Sequence, residues 1–113
     1  MNPEQMAELF RPELERELAH LRADSAGTAE ARRPVELDQQ SVGRLSRMDA
    51  MQNQAMANAV DARRQSRITA IEAALARMAE GEFGYCESCG EPIPFKRLEL
   101  DPTFTQCVAC RSG

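Results

Sequence analysis

The chain has 113 residues, a formal net charge of −4, four cysteines, one histidine and no tryptophan. That length suits one domain or a small domain with an appendage, no apolar run is long enough for a membrane span, and His20 alone cannot furnish a serine, histidine and acid constellation. Negative charge opposes non-specific attachment to phosphate backbones, so a protein partner is expected, and the start Met1-Asn2-Pro3-Glu4-Gln5, lacking a basic n-region and an apolar h-region, points to the cytoplasm.

In chain order, residues 3 to 22 read as an amphipathic helix. Met6, Phe10, Leu14, Leu18 and Leu21 recur at steps of four, four, four and three, with Leu9 beside them and charged residues between. Residues 23 to 34 lack apolar periodicity and contain Gly27 and Pro34, which reads as a connecting loop. A second helix is expected from Pro34 or Val35, with Glu36 and Asp38 near the positive end of its dipole. Gly43 is its weak point and Gly81 its stop, so at ~1.5 Å per residue it would run roughly 65 Å. Its clearest stripe is Ile68, Ile71, Leu75 and Met78, continued less regularly by Leu45, Met48, Met56 and Val60.

An antiparallel hairpin closed by a loop at 23 to 34 would set the first helix against the beginning of the second. The stripe from Ile68 to Met78 would then need another cover. The candidates are the C-terminal module folding back, a second copy of the chain, a first helix that slides down on a longer loop, or a binding partner; the module together with some self-association is the expected answer. The fold class is therefore mainly α: a helical hairpin over residues 1 to 81, then a small module over 82 to 113.

That module holds all four cysteines, as two C-x2-C pairs, Cys86/Cys89 and Cys107/Cys110, with seventeen residues between the pairs. Each short spacing lets one turn bring two sulfurs onto a metal, and two turns complete a closed tetrahedral thiolate site. Zinc is the first reading; iron in the same sulfurs, or two disulfides in an oxidising compartment, are the competing ones. Gly90 after Cys89 suits a backbone that aims N–H groups at sulfur. A closed shell leaves no site for a reactive water, which disfavours hydrolytic chemistry. One structural zinc would bring the formal charge to about −6, and a core this small would draw much of its folding energy from the metal, on the order of 10 kcal/mol in comparable peptides.

Gly84-Tyr85-Cys86-Glu87-Ser88-Cys89-Gly90-Glu91-Pro92-Ile93-Pro94, then Arg97-Leu98-Glu99, Pro102-Thr103 and Cys107-Val108-Ala109-Cys110 resemble the zinc finger of the DksA/TraR family. The resemblance covers about thirty residues, and its lead-in and Ile-Pro segment go beyond cysteine spacing. It implies Cys86, Cys89, Cys107 and Cys110 as zinc ligands. It also implies a bacterial transcription factor that binds RNA polymerase rather than DNA. Such a factor inserts a coiled-coil tip through the secondary channel and shifts initiation, often together with ppGpp, the alarmone of the stringent response. The tip would lie between Ala23 and Asp38. The family's D-x-x-D-x-A tip motif is absent, and the nearest acids are Glu36 and Asp38; the helix that follows the last cysteine in longer relatives is reduced to Arg111-Ser112-Gly113, so no ppGpp site is assigned.

Plainer readings stand beside these. Glu36 and Asp38 serve equally as N-terminal helix acids, and Arg44, Arg47, Arg63, Arg64 and Arg67 as a solvated basic face rather than a docking strip for acidic polymerase. Met48, Met51 and Met56 read as packing residues, with an adaptable interface as the alternative. An enzyme is disfavoured. The alternative function is a zinc-stapled helical adaptor or dimerisation module with a different protein partner; a direct nucleic-acid binder ranks third, because acids outnumber bases from Cys86 onward.

Overall fold

The computed structural model describes residues 2–32 and 44–112. Helix α1, Pro3–Gly27, begins at a reciprocal cap: the Gln5 N–H donates to Asn2 Oδ1 at 2.8 Å and the Asn2 N–H donates to Gln5 Oε1 at 3.0 Å, with proline at the first helical position. Met6, Ala7, Phe10, Leu14 and Leu18 face inward. Pro12 removes one helical N–H but stays on the exposed side, where the packed opposite face keeps the helix running.

The expected boundary at residue 22 is corrected. Helix α1 continues to Gly27, and a 3-10 turn, Ala29–Arg32, follows. Polar partners far away in sequence order this stretch, Gln65 Nε2 donating to Ser25 Oγ at 3.1 Å and Arg64 Nη1 to Thr28 Oγ1 at 3.1 Å, and Arg32 Nη1 adds a local bond to the Ser25 carbonyl at 3.0 Å. Arg32 also faces the half-buried Asp61 carboxylate at 3.4 Å. Apolar periodicity carries no trace of such contacts.

Helix α2, Arg44–Ala79, has 36 residues, about 54 Å of helix. The expected start at Pro34 or Val35, and Gly43, lie outside the described residues. Gly81 ends the helix as expected: at φ +75° it allows the Glu82 N–H to reach the Arg77 carbonyl at 2.8 Å and its own N–H to reach that of Met78 at 3.3 Å.

The two helices run antiparallel, but the pairing expected from loop length is overturned. Helix α1 lies against the last part of α2, as the contacts Arg22–Glu72 at 2.8 Å and Ser25–Gln65 show. The stripe is thereby covered from within the chain. Ile68, Ile71, Ala74 and Met78 are buried beneath α1 and the C-terminal module, with Ala74 fully enclosed and Leu75 only packed at the margin. That stripe no longer calls for a second copy. The cost of this arrangement falls on the other end of α2, where Met48, Met51, Met56 and Val60 stand exposed instead of packing.

One continuous core joins hairpin and module: Phe83, Cys86, Ile93 and Leu98 belong to the same cluster as the α1 and α2 residues. Phe10 is the joint. Its ring meets Phe83 edge-on at 6.3 Å and stacks on Phe95 at 5.7 Å. Gly84, at φ +94°, lets the backbone pass where a Cβ would sit 3.2 Å from Met6 Cε. Ile71→Ala is expected to cost about 2–5 kcal/mol in urea unfolding of the zinc-loaded protein, against roughly 0.5 kcal/mol or less for Leu9→Ala, whose side chain is half exposed.

Candidate metal centre

The module begins with a turn closed by an antiparallel bridge between Tyr85 and Pro92. The Cys86 N–H bonds the Glu91 carbonyl at 2.8 Å and the Ile93 N–H bonds that of Gly84 at 2.7 Å, so Ile93 drops into the core and Cys86 is held beneath the turn. Short helix α3, Phe95–Leu100, buries Leu98, and α4, Val108–Ser112, carries Cys110. Two contacts tie the second cysteine pair to the first, and a third ties it to α3. Glu87 N–H donates to the Thr105 carbonyl at 2.8 Å, Gln106 Nε2 to Ser88 Oγ at 2.8 Å, and Arg97, lying over the Phe104 ring at 4.4 Å, donates from Nε to the Gln106 carbonyl at 2.7 Å.

These contacts bring Cys86, Cys89, Cys107 and Cys110 together, with all four sulfurs within 4.8 Å of one another. All are free thiols, so the disulfide reading drops away. The Cys89 and Cys107 sulfurs lie 3.7 Å apart, matching the edge of about 3.8 Å that a tetrahedron with ~2.3 Å Zn–S bonds requires. Gly90 has the expected positive φ of 76°, but its N–H goes to the Cys86 carbonyl at 2.9 Å rather than to sulfur. The N–H groups of Cys107, Cys89 and Ser88 serve the Cys86 sulfur instead, and that of Glu91 serves Cys89.

The thiols are electrostatically unequal. The Cys107 N–H leads in lowering Cys86 to about 6, against burial and with help from the N–H groups of Cys89 and Ser88. Sulfur neighbours, Cys107 first, and burial push Cys110 up to about 12. Cys89 is lowered by the Glu91 N–H, but its sulfur neighbour Cys86, burial and Cys107 prevail and raise it. Such a cluster gives up its protons together only to a cation. The donor set and spacing fit one structural zinc ion.

A second polar centre, which sequence reasoning missed, lies where α1, α2 and the module meet. Arg67 donates from Nε and Nη2 to both carboxylate oxygens of Glu17 at 2.7 and 3.0 Å, and from Nη1 to Asp101 at 2.8 and 3.0 Å and to Thr103 Oγ1 at 3.0 Å. Burial raises the Asp101 carboxyl, but Arg67 and the N–H and hydroxyl of Thr103 hold it below its ordinary value. The Glu17 bond leads in raising Arg67 against burial, with Asp101 adding to it. The expected solvated basic face holds in part: Arg63 is exposed, whereas Arg67 is engaged and Arg64 faces Asp61 at 3.7 Å. Glu36 and Asp38 lie outside the described residues.

The sequence model of the prokaryotic dksA/traR C4-type zinc finger matches residues 81–113. That segment is a zinc finger of the DksA/TraR type. The chain is 45% identical over 42 residues to the RNA polymerase-binding transcription factor DksA of Haemophilus influenzae, covering 37% of this chain and 29% of that protein. To its namesake in Escherichia coli K12 it is 42% identical over 50 residues, 44% and 33% of the two chains, and to that of Caulobacter vibrioides 48% over 46 residues, 41% and 32%. The matched stretch thus spans about a third of the curated relatives. The solved structure of transcription factor DksA2 from Pseudomonas aeruginosa superposes with a TM-score of 0.77 at 26% identity, over 96% of this chain and 81% of that one.

Zinc analysis of the purified protein is expected to give one ion per chain. Strong chelation should expose residues 82–113 to protease while most of the helical circular dichroism remains; unchanged resistance of that segment would count against a metal-held module. Because the raised thiols of Cys89 and Cys110 must lose protons to bind, zinc affinity should fall by more than about tenfold from pH 7 to pH 6 in chelator competition.

Proposed function

We propose that this chain is a cytoplasmic regulator of transcription that binds RNA polymerase through the secondary channel and modulates initiation without sequence-specific contact to DNA. In this reading Cys86, Cys89, Cys107 and Cys110 ligate one zinc ion, the module over 82–113 is structural, and the hairpin over 1–81 is the working part. Glu36 and Asp38 would act at its tip, where carboxylates can influence a catalytic magnesium or its surroundings. No catalytic activity is assigned to the chain itself.

The observation that carries the proposal is the likeness to the DksA2 structure over nearly the whole chain, helices included. The curated relatives, matched over about a third of their length, are described as RNA polymerase-binding. A slender antiparallel pair, with α2 continuing past the packed base, has the shape to enter a channel. Its outer half presents Met48, Met51 and Met56, flexible apolar side chains suited to an adaptable contact, and the exposed Arg63 lies nearby. Among the described residues no helix is long and apolar enough to cross a membrane.

A pull-down with purified bacterial RNA polymerase, followed by transcription in vitro from a ribosomal promoter, tests the proposal. Asp38→Ala is expected to keep binding within about threefold and to abolish the effect on transcription. Failure of the wild type to bind polymerase would leave an adaptor for another protein, and a shift of duplex DNA at moderate salt would overturn the assignment of a protein target.

A further inference from the structure

Arg67 grips two parts of the chain that lie far apart in sequence. One edge of its guanidinium holds the Glu17 carboxylate on α1 through two bonds, and Nη1 holds Asp101 and Thr103 on the finger. A planar fork with fixed donor directions cannot turn toward one partner without giving up the other. The finger side of this grip leads to the metal centre. Asp101 caps the end of α3, and its carboxylate also takes the N–H and hydroxyl of Thr103 at 3.0 and 2.8 Å. Residues 101 to 106, anchored by those bonds and by Glu87–Thr105 and Arg97–Gln106, lead directly into Cys107.

We propose that Arg67 is a positioning residue that couples metal binding in the finger to the seating of α1 on α2, so that zinc affinity depends on Glu17. Glu17 sits on a different element from the cysteines and reaches the finger segment through Arg67. When the metal fixes Cys107, the segment before it holds Asp101 and Thr103 where Arg67 can bond them and Glu17 together. Removing the charge of Glu17 leaves Arg67 free to swing toward Asp101 alone, and the segment leading to Cys107 loses its fixed anchor on the hairpin. Because coupling between two equilibria is reciprocal, whatever the metal contributes to the hairpin, Glu17 contributes to the metal. The inference rests on the four-cysteine metal reading and is independent of the polymerase assignment.

The test is zinc affinity of the full chain at pH 7, by competition with a chromogenic chelator. Glu17→Gln keeps the shape and an acceptor oxygen while removing the charge, and is expected to weaken zinc by about three- to tenfold with helix content unchanged. In an Arg67→Gln background the same Glu17→Gln change should alter affinity by less than about 1.5-fold, because the link is already broken. Arg67→Lys, which keeps charge but cannot grip both carboxylates in a fork, is the second background should Arg67→Gln fail to fold. Glu13→Gln, on the exposed face of the same helix, is the control and should change nothing. Zinc affinity of Glu17→Gln within about twofold of wild type, or an equal loss in both backgrounds, would overturn the inference. Wild-type protein that takes up no zinc would overturn the metal reading and this inference with it.

Discussion

Four cysteine sulfurs within 4.8 Å of one another are the constraint on which the rest of the molecule depends. Four thiolates that close repel one another strongly, and only a cation among them makes their convergence favourable. The segment they organise is too short to hold itself by burial: its large enclosed apolar side chains are Phe83, Ile93 and Leu98, with Phe95 and Phe104 at the margin, and the rest of the core they join comes from the helices. Metal and hairpin are therefore complementary supports. The ion closes the two turns, and the helices supply the oil that the turns lack.

This mutual dependence explains where α1 sits. A short first helix could have paired anywhere along the longer second one. It pairs at the base because Phe10 finds two aromatic partners there, Phe83 and Phe95, and because Met6 and Leu14 share one buried cluster with Ile71 and Met78. Arg67 adds direction to that non-directional packing by binding all three parts with fixed geometry. The base becomes a rigid mount, and the remainder of α2 projects from it with its methionines uncovered.

Much of this was legible in the sequence where the signal is local. Two C-x2-C turns announce a tetrahedral site, Gly81 announces a helix stop, and the stripes from Met6 to Leu18 and from Ile68 to Met78 announce buried faces. Each needs only a few neighbouring residues to be recognised. What escaped is non-local. The pairing of Arg67 with Glu17 spans 50 positions and that with Asp101 spans 34, and no periodicity records either. The same holds for Ser25 and Thr28, whose partners on α2 convert an apparent loop into the end of a helix. The register of the hairpin follows from the match of Phe10 to Phe83 and Phe95, which loop length does not encode. Ala74, which carries too little side chain to mark a stripe, is fully enclosed along with Ile71.

The proposed function requires that a metal-closed finger set the helices in the arrangement a polymerase would recognise. Equilibrium binding of fluorescently labelled protein to purified RNA polymerase, measured zinc-loaded, after chelation and after zinc is restored, addresses it directly. The account predicts a loss of affinity of at least about tenfold on chelation and full recovery with zinc. Equal binding by the zinc-loaded and chelated protein would contradict it.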